Sequence, residues 1–137
     1  DNPIQIGKMI EDIEVLGTTD DAVSRLPQRS YFHCAIGKNK DRAFVSQKLE
    51  SEGFIPATLI HPTVVIGPNS SIGHGVFIGA LSIIGPEAKI GNHVLINTHA
   101  GIVNNIILIS SQNDWFSTYQ ISNSNFSSHE IAFLPLI

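Results

Sequence analysis

The sequence predicts a left-handed parallel β-helix of hexapeptide repeats, preceded by a partial α/β unit. Over residues 60–102 an aliphatic residue occupies every sixth position, namely Ile60, Ile66, Ile72, Ile78, Ile84, Ile90, Ile96 and Ile102. A small or compact side chain follows each of the first seven by four positions, and a glycine directly follows five of the eight. Since a period of six fits neither the 3.6 residues of a helical turn nor the alternation of a single strand, it indicates a repeat architecture.

A triangular coil explains this period physically. Each hexapeptide supplies one short strand, three hexapeptides close a turn, and strands of successive turns stack about 4.7–4.9 Å apart as parallel sheet. The aliphatic residue points into the prism, and the compact residue lies where the chain bends. We expect the glycine after the aliphatic to supply the positive φ that a corner demands. A β-meander would instead require polar/apolar alternation and hairpin turns, and the spacing shows neither.

Residues 1–59 predict part of a Rossmann-like α/β unit with the order strand, helix, strand, helix, strand. We expect strands at 15–17, 31–36 and 57–60, and a helix at 40–52 that Asn39 caps and Gly53 ends. Thr18 or Thr19 caps the earlier helix, whose first turn carries Asp20 and Asp21. A doubly wound domain opens with a strand, a glycine-rich turn and a helix. Because no such turn is present, the unit is expected to begin in mid-domain.

Composition narrows the class of protein. The 137 residues carry a net charge of −4, which argues against a nucleic-acid partner held through phosphates. Cys34 is the sole cysteine, so disulfides do not organise the fold and a reducing compartment is expected. The chain has neither a run of eighteen apolar residues nor a basic leader. We therefore expect a cytoplasmic protein without a membrane partner.

The C-terminal tail differs from the repeat. The register continues through Ile106 and Leu108 and then ends, and residues 110–137 combine five aromatics with many serines and asparagines. A shifted reading frame, a degenerate gene copy and a genuine terminal cap are open alternatives. The predicted division is therefore an α/β part at 1–59, the coil at 60–109 and a non-repeat tail at 110–137.

Three segments together resemble one family. They are the loop Ala-Ile-Gly-Lys-Asn-Lys-Asp-Arg at 35–42, the junction Leu-Ile-His-Pro at 59–62, and Ile-Asn-Thr at 96–98 within the coil. This combination is similar to bacterial nucleotide-sugar N-acetyltransferases and sialic acid O-acetyltransferases of surface-glycan and pilin-glycan synthesis. The resemblance, over about residues 1–107, implies a homotrimer that uses acetyl-CoA to acetylate a sugar or nucleotide sugar. It also implies that the chain is incomplete at both ends.

The resemblance further implies a substrate site in the loop at 35–42. Gly37, Asn39 and Arg42 match the family's nucleotide-sugar loop, and Asp1 matches an acidic residue near it. Gly37 would let the backbone approach a ligand, and Arg42 would offer a fork of donors to phosphate. The alternatives are that Asn39 only caps the helix and that Arg42 is a solvated helix residue.

The family's catalytic base is a histidine followed by an acidic residue, in the coil segment after the asparagine-threonine pair. Counted from Asn97 and Thr98, these positions hold Asn104 and Asn105 in this chain. His99, on the preceding hexapeptide, is the best substitute for the missing base. Two interpretations follow: an acetyltransferase, or a catalytically degenerate trimeric scaffold or sugar-binding relative.

The remaining coil histidines carry no predicted chemistry. His74 and His93 occupy outward positions and are expected on the surface, and His61 is expected to make a structural hydrogen bond at the junction. No pair of histidines has the spacing of a metal site, so no metal is predicted.

Overall fold

A computed structural model describes residues 5–108 and the backbone of residues 118–119, with only the backbone of Asn39. Asp1 and the rest of the tail lie outside the described residues. The elements before the coil are β1 Met9–Ile10, β2 Ile13–Glu14, α1 Thr19–Arg25, β3 Tyr31–Phe32, α2 Asn39–Ser51 and β4 Ile55–Pro56. The coil strands are β5 Leu59–Ile60, β6 Val65–Ile66, β7 Ser71–Ile72, β8 Phe77–Ile78, β9 Ile83–Ile84, β10 Lys89–Ile90, β11 Leu95–Ile96, β12 Gly101–Ile102 and β13 Ile107–Leu108, followed by β14 Thr118–Tyr119.

An antiparallel hairpin of β1 and β2 precedes α1, and β2 ends at Glu14, so the predicted strand at 15–17 is wrong. The reason is the start of α1, because the chain turns at Thr18 into a capping box. The Thr18 side chain accepts from the backbone N–H of Asp21 at 3.2 Å, and the Asp21 carboxylate accepts from the backbone N–H of Thr18 at 2.8 Å. Thr18 is thus the predicted cap, and residues 15–17 serve as its approach.

A parallel pair of strands, β3 and β4, is connected through α2, with Tyr31 opposite Ile55. The predicted strand at 31–36 stops at Phe32. The strand predicted at 57–60 is divided, since Leu59 and Ile60 pair with the coil instead. Neither described helix is long and apolar enough to cross a membrane. A fuller Rossmann-like sheet remains a prediction.

Helix α2 matches its predicted range to within one residue at each end. Its N-cap is Lys38, without a side-chain cap hydrogen bond, so Asn39 is the first helical residue and not the predicted cap. Gly53 has a φ of +87° directly after the last turn, and its N–H donates to the Glu50 carbonyl at 2.9 Å. The predicted glycine stop is confirmed.

The coil consists of three parallel sheets whose strands come from every third hexapeptide. Their orders are β14-β11-β8-β5, β12-β9-β6 and β13-β10-β7. From β5 to β13, register partners are eighteen residues apart, as for Leu59 opposite Phe77 and Phe77 opposite Leu95. Stacked parallel strands joined by short turns fit a left-handed parallel β-helix of hexapeptide repeats, as predicted.

The interior of the prism holds the two predicted kinds of inward residue. Ile78, Ile84 and Ile96 are fully buried, and so are the compact Val76, Ser82 and Ala88. The Ser82 hydroxyl donates to the Asn97 carbonyl at 2.8 Å, which satisfies this polar group inside the coil.

The corners correct the predicted role of glycine. From Ile66 onward, positive φ occurs three residues after each aliphatic instead of one, at Asn69, Gly75, Leu81, Glu87, His93, His99 and Asn105. The glycine after the aliphatic is needed for a different reason, which is the close approach of the next turn of the coil. A Cβ on Gly79 would lie 2.6 Å from the backbone nitrogen of Thr98, and one on Gly85 would lie 2.8 Å from that of Asn104.

Candidate functional site

The predicted base position lies at an exposed corner of the coil. Asn104 and Asn105 form the turn between β12 and β13, and both side chains are exposed. Asn105 has a φ of +58°, and its N–H donates to the Pro86 carbonyl at 3.2 Å. A neutral amide side chain is not a base near pH 7, so this corner cannot accept a proton as an imidazole would.

His99 lies at a different corner from Asn104. It is exposed in the turn between β11 and β12, and its N–H donates to the Ala80 carbonyl at 2.9 Å, whereas the Asn104–Asn105 turn stacks on Pro86. Successive hexapeptides bend at successive corners of the prism. His99 and Asn104 belong to successive hexapeptides and therefore lie at different corners. That His99 substitutes for the missing base stays a prediction.

Arg42 is buried at 3% exposure, so the alternative of a solvated helix residue is wrong. Its Nη1 donates to the carbonyls of Ile36 at 2.7 Å and Gly37 at 3.2 Å. Burial lowers the pKa of Arg42, and Cys34 opposes this shift. The guanidinium therefore holds the backbone of the predicted substrate loop at these two carbonyls.

Gly37 lies on the open side of that loop. It is exposed, and a Cβ built on it would meet no atom within 4 Å. The backbone here is accessible to a ligand, in keeping with the predicted role of Gly37. Asn39 starts α2 next to it, and its side chain lies outside the described part, as does Asp1.

The junction histidine makes the predicted structural hydrogen bond. Nδ1 of His61 accepts from the N–H of Thr63 at 3.2 Å and lies 2.9 Å from the Thr63 hydroxyl. That hydroxyl accepts in turn from the N–H of Leu81 at 2.9 Å. His61 thus stabilises a corner, and its Nδ1 is occupied by the hydrogen bonds with Thr63.

The structure also assembles a cluster that the sequence analysis missed, comprising Glu50, His74 and His93. Nε2 of His93 lies 2.6 Å from Oε1 of Glu50, and the two imidazole rings meet edge to face with centroids 5.2 Å apart. Burial lowers the pKa of His93, while Glu50 raises it. The prediction that His93 is a surface residue is wrong, since its side chain is only 13% exposed.

One signal for this cluster was present in the sequence. Stacked corners are eighteen residues apart, so His93 lies above Gly75, and His74 is the residue next to Gly75 at the same corner of the prism. The third member depends on how α2 packs on the coil, and no periodicity reports that packing.

A cavity of about 280 Å³ lies beside the start of α1, lined mainly by Leu16, Thr18, Ala22 and Leu26. It contains none of the predicted site residues. The predicted site residues lie elsewhere, on the loop at 35–42 and on the coil corners.

One face of the prism is apolar and exposed. On the sheet of β6, β9 and β12, Val65 and Ile83 are register partners and are 59% and 56% exposed. The sheet of β5, β8 and β11 is different, because Phe77 is half-buried with its ring centroid 6.0 Å from that of His33. The third sheet displays Ser71 and Lys89.

Comparison with solved structures gives two informative relatives. A histidine-to-asparagine mutant of perosamine N-acetyltransferase from Caulobacter crescentus, in complex with CoA and GDP-perosamine, matches with 30% identity and a TM-score of 0.67 over 74% of this chain and 49% of that one. The acetyltransferase domain of PglB from Neisseria gonorrhoeae, in complex with acetyl coenzyme A, matches with 26% identity and a TM-score of 0.68 over the same shares. No family model and no curated protein match the chain.

These matches agree with the resemblance carried by the loop, the junction and the coil. In both comparisons the chain spans about half of the length of the relative. In fold and in sequence, the chain is thus related to the bacterial nucleotide-sugar N-acetyltransferases.

Proposed function

We propose that the chain functions in acetyl transfer from acetyl-CoA to an amino or hydroxyl group of a nucleotide sugar, in surface-glycan synthesis. The observation that carries this proposal is the match to a sugar N-acetyltransferase in complex with CoA and GDP-perosamine. The matched PglB domain, in complex with acetyl coenzyme A, supports the same donor. The coil retains every aliphatic position of the register through Ile102.

The chemistry requires three contributions from the protein. The acceptor nitrogen or oxygen attacks the thioester carbonyl, a base takes its proton, and the sulfur of CoA leaves when the tetrahedral intermediate collapses. Backbone N–H groups of the coil are suitable donors for the developing oxyanion. The exposed loop at Gly37 would receive the nucleotide sugar, and Arg42 would act as a positioning residue, because it holds the loop carbonyls.

The apolar face supports the proposal of a homotrimer. Val65 and Ile83 form a stacked aliphatic pair on this face, and Leu81 is exposed at the adjacent corner. A closed threefold assembly with parallel coil axes would bury such a face on each subunit. The resemblance implies that the acetyl-CoA site lies between neighbouring subunits, so the trimer would be required for donor binding.

Light scattering tests the assembly. The wild type is expected to have three times the chain mass, and Ile83→Lys is expected to shift the mass toward one chain. Lys89→Ala, on the polar face, is the matched control and is expected to stay trimeric. A wild-type monomer at high concentration would contradict the trimer.

A second candidate function is a catalytically degenerate trimeric scaffold or sugar-binding relative. The observation that favours it is the pair of exposed amides at Asn104 and Asn105, with His99 at another corner. Neither amide can take the acceptor's proton.

A thiol-release assay with acetyl-CoA and GDP-perosamine separates the two functions. For the transferase we expect slow release of CoA that depends on the sugar. General-base catalysis contributes about 10²–10⁴-fold, so Asn104→His is expected to raise the rate, whereas Asn104→Ala is expected to leave it unchanged. Binding of the nucleotide sugar without CoA release in any variant would favour the second candidate. Absence of both binding and release would contradict the transferase and the sugar-binding relative and would favour the scaffold.

A further inference from the structure

The cluster of Glu50, His74 and His93 joins helix α2 to the coil. Each residue offers one ligand atom, and the three atoms all lie within 4.8 Å of one another. His74 and His93 come from turns at the same corner, where the N–H of His93 donates to the His74 carbonyl at 2.8 Å. Two ligands therefore sit on the regular scaffold of the coil, and the third comes from α2.

Local backbone geometry holds the His93 ring in place. His93 and Gly75 occupy equivalent corner positions with φ of +56° and +66°. A Cβ at Gly75 would lie 2.8 Å from Cε1 of His93, so only glycine leaves space for the imidazole. The Nδ1 edge of the ring faces Gly75, and Nε2 is directed at Glu50.

The Glu50 carboxylate is directed at His93. Its Oε1 is buried and lies 2.6 Å from Nε2 of His93. Ligand atoms of a tetrahedral zinc ion with bonds of about 2.0–2.1 Å are separated by about 3.3 Å. Moving Oε1 of Glu50 and Nε2 of His93 apart by about 0.7 Å would bring them to that ligand separation.

The groups that act electrostatically on His93 are Glu50, His74 and Arg42. Glu50 supplies the negative charge, and the buried Arg42 guanidinium on the same helix acts on His93 with the opposite sign. Two imidazoles and a carboxylate form a donor set that prefers Zn²⁺ and similar transition ions over Mg²⁺.

We propose that Glu50, His74 and His93 bind a divalent transition-metal ion of the zinc class, with water as the fourth ligand, and that the ion fastens α2 to the coil. The site is separate from the Asn104 corner and involves no acetyl transfer. A test of this metal site is therefore independent of a test of the proposed function.

Calorimetric titration of the chelator-treated, full-length chain with ZnCl₂ tests the site. We expect one saturable Zn²⁺ per chain and no comparable binding of MgCl₂. Loss of a ligand is expected to weaken Zn²⁺ binding at least about tenfold in His74→Ala and Glu50→Gln, since even outer-shell changes cost 10–100-fold. His99→Ala, at an exposed corner outside the cluster, is the matched control and is expected to bind like the wild type.

Thermal unfolding gives a second readout that needs no activity. Zn²⁺ is expected to raise the Tm of the wild type and of His99→Ala, because it binds the folded state, and to leave the Tm of the two cluster variants unchanged. His74 is exposed and Gln is nearly isosteric with Glu, so both variants are expected to fold, which far-UV circular dichroism checks. Zn²⁺ binding or stabilisation that is equal in all four proteins would overturn the site, as would the absence of saturable binding to the wild type.

Discussion

The coil and the α/β part of the chain are stabilised in different ways. A buried hydrophobic cluster lies entirely within the coil and comprises Val76, Ile78, Ile84, Ala88, Ile90, Val94, Ile96, Ala100, Ile102, Ile106 and Leu108. Among the described residues before the coil, the buried apolar ones are Ala43, Leu49 and Phe54, and the strands of the hairpin are exposed. Polar contacts have a correspondingly larger share there, as in Arg42 beneath its loop and the Lys48–Asp20 ion pair.

The coil is therefore specified by a repeated sequence pattern, whereas the α/β part depends on individual polar side chains. In the coil, a residue's surroundings follow from the residues eighteen positions away, so a simple pattern specifies the fold. In the α/β part, individual side chains hold particular loops and caps. Substitutions of buried aliphatics should therefore be most costly in the coil, and losses of polar contacts should matter most before it.

The largest effect is expected from Ile84→Ala. This side chain is fully buried in the prism, and deleting such a group costs about 2–5 kcal/mol through lost burial and the cavity left behind. Ile83→Ala, at the neighbouring exposed position, is expected to change monomer stability by less than about 0.5 kcal/mol. Urea unfolding under conditions of matched oligomeric state measures both. Equal losses would contradict the inward and outward assignment.

Arg42→Ala is expected to have the largest effect among polar substitutions in the α/β part. It removes charged hydrogen bonds to the carbonyls of Ile36 and Gly37, each worth about 1.5–3 kcal/mol, and leaves these carbonyls without their donor. Lys40→Ala, exposed on the same helix, is the matched control. A urea midpoint for Arg42→Ala equal to that of the control would refute polar anchoring.

Gly79→Ala tests the close approach of stacked turns. The added Cβ would lie 2.6 Å from the backbone nitrogen of Thr98, so the coil must shift, at a cost of about 1–3 kcal/mol. Gly37→Ala has open space around the new methyl group and serves as the control. If Gly79→Ala unfolded at the wild-type urea concentration, the glycines would have no packing role.

The smallest effect is expected from Thr18→Ala, at about 0.5–2 kcal/mol for a lost N-cap. The pKa of Asp21 is lowered most by the hydrogen bond from the Thr18 backbone N–H, and then by the hydrogen bond from the Thr18 side chain. The charge of Arg25 lowers it further. A lowered folded-state pKa contributes stability that is present above the usual value of 3.8 and is lost as pH falls through the folded pKa.

The Thr18→Ala destabilisation should therefore be larger at pH 7 than near pH 2, as measured by chemical denaturation at both values. Asp21→Asn should abolish this pH dependence. If Thr18→Ala destabilised the chain equally at both pH values, the Thr18 side chain would not lower the pKa of Asp21.

The sequence predicts the coil almost residue by residue, because one period describes both the inward aliphatics and the stacking of strands. It misplaces the positive φ, since glycine after Ile78 or Ile84 suggests a flexible corner and is needed for packing. The hairpin of β1 and β2 escapes prediction because its strands are two residues long and exposed, so burial leaves no pattern in them.

Prediction of the candidate site is less complete for physical reasons. Asn104 can be located by counting repeats, and its corner position agrees with that count. The burial of Arg42 and the approach of Glu50 to His93 depend on how α2 packs on its neighbours. Such packing joins residues of unrelated periodicity, which spacing alone cannot reveal.

The central claim is that the coil retains the donor site of sugar acetyltransferases although Asn104 occupies the predicted position of the base. Calorimetric titration of the chain with acetyl-CoA tests it most directly. The proposal predicts binding in the micromolar range, unchanged in Asn104→His because that substitution affects proton transfer and not donor binding. Absence of heat at millimolar acetyl-CoA in both proteins would contradict it.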